Sequence, residues 1–264
     1  MFKRTTIDET LISTLARSYN ILEYHDNLRK IVSYTYKGRN LMQYANKGIH
    51  WLINEILLEH YKGESTLKAK LVELFIKKDV TAAFEIKVNR SRVDFLTVNG
   101  ESRSFEIKSE LDNLHKLPKQ ISDYQRVFDY NYIVIDEKHY SKAVKLIPNH
   151  YGVMVLHGHL LTEDKPAELN GRLDPSTQLK LFTKKEFSQS FKTPGITEDE
   201  ILINFDEKEI NSIFKAMLKK RYAKRWNFLV DNKTKIHSID YQYFFQHNIE
   251  PRIIYESSNQ KIRL

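Results

Sequence analysis

The chain has 264 residues, 41% of them hydrophobic and 12% aromatic, enough apolar material for one large domain or two small ones and too much for global disorder. It contains no cysteine, which excludes disulfides, thiolate zinc sites and cysteine nucleophiles. A formal net charge of +8 at pH 7 favours an anionic partner, of which nucleic acid is the commonest.

Residues 1–62 read as a helical segment. IDETLISTLARSY and NKGIHWLINEILLEHY space their apolar residues at three and four, with Asp8 and Asn46 as expected N-caps. KGES then punctuates the chain, with Ser65 as the expected cap of a short amphipathic helix. That helix, STLKAKLVELFIKKD, carries Leu67, Leu71, Leu74 and Phe75 on one side. After Asp79 the character changes to strand. TAAFEIKV, RVDFLTVNG and SRSFEIKSE are three extended segments, and Asn99-Gly100 between the last two is a hairpin signal. LHKLPKQISDYQRVFD predicts a helix, YNYIVIDE a buried strand, KHYSKAVKLIP a short helix ended by Pro148, and YGVMVLHG another buried strand.

The order helix, three strands, helix, strand, helix, strand is α/β, with a mixed sheet flanked by helices. Beyond Leu160 the pattern weakens. TEDKPAELNGRLDPSTQ reads as a loop, DEKEINSIFKAMLKKRYAKRWNFLV as a long helix with a basic end, and the tail shows no period. The expected division is a helical segment at 1–62, a core at 63–160 and a helical or mixed extension at 161–264. The first twenty residues hold no apolar run of signal-peptide length, and no segment approaches a membrane span. A cytoplasmic protein without a membrane partner is expected.

The tetrapeptide Phe-Glu-Ile-Lys occurs twice, at 84–87 and at 105–108. Alternation along a strand puts the Glu and the Lys of each copy on one face. For the first copy, the nearest upstream acid, Asp79, is too close to lie on a neighbouring strand. The second copy has Asp94 twelve residues before Glu106, across the hairpin. Register decides whether they meet. A bare two-residue loop would pair Asp94 with Phe105, whereas a three-residue loop or a bulge pairs Val98 with Ser102 and sets Asp94 opposite Glu106. In that register the two carboxylates could hold a divalent ion, with the Ile107 carbonyl as a further oxygen ligand. Lys108 would orient the attacking water or steady charge on a phosphate.

Asp, a hairpin, Glu-x-Lys and a following helix resemble the PD-(D/E)XK nuclease superfamily and its restriction-endonuclease-like core. The similarity extends to a bacterial and phage subgroup of nuclease-like proteins through Arg92, Asp94, Val98-Asn99-Gly100, Glu106-Ile107-Lys108-Ser109, Asp112, Leu114 and Leu117-Pro118-Lys119-Gln120. It covers roughly residues 65–190. Val93 stands where the superfamily name has Pro. The resemblance implies an α-β-β-β-α-β core and Mg²⁺-dependent hydrolysis of phosphodiesters, DNA favoured, with Mn²⁺ as substitute. It implies that Asp94, Glu106 and Lys108 carry the chemistry, that Glu85 serves the same site as a third acid, either as a second-metal ligand or in the outer shell of the metal, and that Gln120 reaches it. Arg92, Ser109 and Tyr124 are the substrate-side residues this assigns, although an amphipathic core tyrosine is the commoner role for Tyr124, and Asp112 is expected to cap the helix. Many proteins of this fold are dimers, so a homodimer is an open expectation. The alternative is a member of the fold that has lost cleavage and serves as a nucleic-acid-binding or protein-interaction module in a phage or defence system.

Two other patterns suggest a site. His157-Gly158-His159 could ligate zinc, but no third ligand is placed and a loop pair is the simpler account. KKRYAKRWNF mixes Lys219, Lys220, Arg221, Lys224 and Arg225 with aromatics, a stripe suited to phosphates and bases, or equally to the solvated end of a helix.

Overall fold

The computed structural model describes residues 8–35, 47–193 and 195–256. Three helices come first: α1 (Glu9–Ser18), α2 (His25–Thr35) and α3 (Ile49–His60). Asp8 caps α1 as expected, accepting from the Thr10 amide at 2.8 Å. The expected cap Asn46 lies outside the described residues, and Gly48 occupies the N-cap of α3. α4 (Glu64–Phe75) starts one residue before Ser65, with Gly63 at its N-cap. It buries Leu67, Leu71 and Val72, whereas Leu74 is exposed, because the side facing the sheet is shifted from the expected stripe.

The sheet follows: β1 (Thr81–Val88), β2 (Ser91–Asn99), β3 (Glu101–Lys108), α5 (Leu117–Tyr124), β4 (Tyr130–Asp136), α6 (Tyr140–Ala143), β5 (Gly152–His157) and β6 (Leu160–Lys165). Its strands lie in the order β1-β2-β3-β4-β5-β6. β3, β4 and β5 run parallel, and the outer pairs β1/β2, β2/β3 and β5/β6 are antiparallel. The architecture is therefore α/β, a six-stranded mixed sheet flanked by helices.

β6 lies where a loop was expected. Its run LLTEDK is mostly polar because it is an edge strand with little to bury, so no hydrophobic alternation marks it. It carries the sheet past residue 160, the boundary expected for the core. The helix expected over KHYSKAVKLIP is only a 3₁₀ turn and the four residues of α6.

The C-terminal part is α7 (Pro175–Leu179), α8 (Lys184–Phe191), α9 (Glu198–Asn204), α10 (Glu207–Asp231), α11 (Tyr241–His247) and α12 (Pro251–Glu256). α10 begins at a reciprocal cap, Asp206 accepting from the Glu209 amide and Glu209 from the Asp206 amide. At 25 residues it is about 37 Å long. Its Phe214, Leu218 and Trp226 pack with Phe84, Phe95 and Phe105 on one face of the sheet. Leu117 and Ile121 of α5 cover Ile133, Ile135, Val153 and Val155 on the other.

α1, α2 and α3 form their own small core around Leu15, Leu28, Ile53 and Ile56. A buried polar knot ties it to the C-terminal part: Asp240 accepts from Tyr19 (3.0 Å), Asn54 (3.1 Å) and Tyr255 (2.8 Å). Burial pushes the Asp240 carboxyl up to about 7, and the three donors only partly offset it. Among the described residues, no helix is long and apolar enough to cross a membrane.

Candidate functional site

The β2–β3 hairpin adopts the longer loop. Val98 pairs with Ser102 and Phe95 with Phe105, with Gly100 at the apex in the left-handed region (φ 72°) that glycine tolerates. One step further along this register, Asp94 stands opposite Glu106. On the other side of β2, the pairs Phe84–Phe95 and Ile86–Val93 set Glu85 opposite Asp94. Three acids therefore line up across three adjacent strands. They do so where the ladder gives way: the Ile107 amide donates to Asp94 Oδ2 at 2.6 Å.

The environment of Asp94 and Glu106 is unfavourable to their charge. Asp94 is pushed well above the usual carboxylate range by burial and by Glu106 beside it, with Lys68 pulling the other way. Glu106, only 2% exposed, is also raised by burial, against the opposing influence of Lys108, Tyr124 and Gln120. Lys108 donates to Glu106 Oε1, and the Tyr124 hydroxyl lies 2.9 Å from Oε2 and 2.7 Å from the Arg92 carbonyl. Burial and the Glu106 charge raise the Tyr124 hydroxyl, which stays protonated as a donor. Gln120 flanks the same carboxylate, and its Oε1 is buried without a partner.

The sequence pattern missed two residues, both on α4. Lys68 donates to Glu85 Oε1 at 2.6 Å, to Glu64 Oε1 at 2.7 Å and to Gln242 Oε1 of α11 at 3.0 Å. Carboxylate oxygens of Glu64, Glu85 and Asp94 lie within 4.8 Å of one another, a grouping that could hold a cation. Glu64 and Lys68 are four apart and so share a helix face. Nothing in the local sequence distinguishes that pair from a surface ion pair.

Several expected substrate contacts are engaged elsewhere. Tyr124 and Ser109 are each 1% exposed. Tyr124 props Glu106, and the Ser109 amide and hydroxyl both donate to Asp112 Oδ2. Asp112 therefore ties down the turn after β3 and does not cap α5, whose N-cap is Lys116. Arg221 is held by Glu186 at 2.6 and 2.7 Å and by the Leu181 carbonyl, so its guanidinium serves packing between α8 and α10. Arg92 stands exposed at the rim, 3.8 Å from Glu85.

The basic stretch of α10 does not form one surface, because neighbours on a helix point 100° apart. Arg225 faces a groove of about 590 Å³ whose lining also includes Glu85, Lys87, Asn89 and Lys180. Lys220 faces a different hollow, between α8 and α10. Lys219 and Lys224 are exposed and line neither of these two hollows. The two histidines are not brought together: His157 lies 3.6 Å from Glu137, and His159 lies 4.0 Å from Glu59.

No curated protein matches the chain. Among solved structures, the SPO1766 protein of unknown function from Silicibacter pomeroyi is similar at 18% identity. The similarity covers 50% of this chain and 92% of that one, with a TM-score of 0.34. The family model of Bacteriophage P4 protein cII matches residues 58–244, a span that runs from the end of α3 into α11 and contains the whole sheet and every acid of the site. The chain belongs to the bacteriophage P4 cII protein family.

Proposed function

We propose that this protein is a metal-dependent nuclease of the PD-(D/E)XK type, hydrolysing phosphodiester bonds of nucleic acid, most naturally DNA. The observation that carries it is the second Phe-Glu-Ile-Lys: Glu106 and Lys108 are buried together on β3 with Asp94 directly across the hairpin. A core on that plan would be restriction-endonuclease-like. The donor set fits Mg²⁺ or Mn²⁺, which take hard oxygen ligands. Asp94 and Glu106 each have their charged form disfavoured, a cost that a divalent cation relieves, and Gln120 Oε1 lacks a partner. Asp94, Glu106 and the Ile107 carbonyl would hold the ion, which supplies positive charge to a phosphate and acidifies a water.

The protein's own groups do the rest. Lys108, placed by Glu106, stabilises negative charge gathering on the phosphate or orients the attacking water. Tyr124 and Gln120 keep Glu106 from rotating away. The groove past Glu85 offers Lys87, Lys180 and Arg225 to a phosphate backbone.

The test is incubation of purified protein with plasmid, linear duplex, single strand and RNA, each with Mg²⁺, Mn²⁺ or EDTA. Cleavage is expected only with the metals and not in Lys108→Ala. Persistent binding without cleavage under every condition would instead make the protein a binding module on this fold.

A further inference from the structure

Four carboxylates and two ammonium groups meet around the site. Glu64, Glu85, Asp94 and Glu106 bring the negative charges, and Lys68 and Lys108 the positive ones. Lys108 is committed to Glu106. Lys68 enters that cluster from α4. Its side chain is 9% exposed, and its Nζ contacts oxygens of Glu64, Glu85 and Gln242 at 2.6 to 3.0 Å. An ammonium held by three oxygens on a buried stem occupies the position that a small cation would take between those acids. Burial works against its charge, but Glu64, Asp94 and Glu85 outweigh it and raise its pKa. Its three oxygen contacts are those of an ammonium that donates to each of them.

The geometry points to Lys68 as a built-in substitute for a second metal ion: its ammonium fills the Glu64–Glu85 side of the acidic cluster, so the protein binds one divalent ion where its acids could otherwise support two. The same contact gives Lys68 a second task. Glu85 sits at φ 58°, a left-handed backbone that a glutamate adopts only when its surroundings hold it there. In that conformation its carboxylate meets Lys68 at 2.6 Å and Arg92 at 3.8 Å. Lys68 is thus a positioning residue, acting through Glu85, and it rests on the proposed metal site beside Asp94 and Glu106.

The experiment is Mn²⁺ titration by calorimetry and by electron paramagnetic resonance on the full chain, with circular dichroism to confirm folding. Wild type should bind one Mn²⁺. Lys68→Met should bind two, Lys68→Arg should return to one, and Lys68→Met combined with Glu64→Gln should lose the second site again. Glu64→Gln alone should leave the single site within about twofold, whereas a residue supporting a bound ion would cost about tenfold or more. That last measurement stands even if Lys68→Met does not fold. Two ions in wild type, one unchanged ion in Lys68→Met, or a tenfold loss in Glu64→Gln each overturn the role of Lys68 while leaving the nuclease proposal intact. No Mn²⁺ in any variant overturns both.

Discussion

The two copies of Phe-Glu-Ile-Lys are identical in sequence and differ in almost everything else. In both, the Phe and Ile face the same core. In the second copy Glu106 and Lys108 are buried and bonded to each other, because β3 lies inside the sheet with β2 on one side and β4 on the other. In the first copy β1 is an edge strand. Glu85 turns out of the regular strand conformation to meet Lys68 of α4, and Lys87 stays exposed on the wall of the groove. A tetrapeptide thus carries no fixed chemistry. Its neighbours across the sheet decide whether its charged pair is desolvated and mutually held, or split between a helix and solvent.

The sharpest break between the copies should be catalytic. Lys108→Ala should lower metal-dependent cleavage roughly 10²–10⁴-fold, the range for a group acting on the transition state. Lys87→Ala should leave turnover at saturating substrate near wild type. Equal losses in turnover for the two variants, measured with a fluorescent oligonucleotide, would erase the distinction.

The groove beside the first copy should matter for binding instead. Neutralising Lys87, Lys180 and Arg225 together should weaken nucleic-acid binding and flatten the slope of log K against log salt by about one per lost phosphate contact. Lys219 and Lys224, outside the groove, should change that slope less. Arg221→Ala should show up as a lowered melting temperature, since it leaves Glu186 without its bidentate partner. Glu85→Ala belongs between these extremes. As a supporting acid it should cost about tenfold in Mn²⁺ affinity, read by calorimetry, and far less than Glu106→Ala.

The smallest effect concerns stability without metal. Asp94 has its folded pKa raised, so the native state holds its proton more tightly than the unfolded chain. Its contribution is fully present below the ordinary carboxylate range and is lost as pH rises through the folded pKa. Asp94→Asn keeps an oxygen to accept from the Ile107 amide and removes the charge. It should therefore melt higher than wild type in EDTA at neutral pH, by roughly 2–4 °C per kcal/mol gained, and the gain should vanish at acid pH. Glu106→Ala should behave oppositely, because it strands the buried Lys108 ammonium. The same direction of change in both variants would mean that the two acids are not distinguished by their partners.

Much of the fold was legible from residue order alone. The runs TAAFEIKV, RVDFLTVNG, SRSFEIKSE, YNYIVIDE and YGVMVLHG hold β1 to β5 because alternation and β-branched content are local properties that burial on both faces reinforces. Asn99-Gly100 marked the hairpin, and its two possible registers were enumerable in advance. Only the folded chain chose the longer loop that sets Asp94 opposite Glu106. β6 stayed hidden because a polar edge strand is defined by its partner and not by its own pattern. Glu64 and Lys68 stayed hidden for the same reason. An i,i+4 ion pair reads as a solvated helix face until α4 is seen packed against the sheet, where burial and the carboxylate of Glu85 convert it into an internal cation. Sequence by itself determined which residues could carry charge and where the apolar strands β1 to β5 would form. Tertiary structure decided which of those charges lose their water, because desolvation depends on what the rest of the chain places around them.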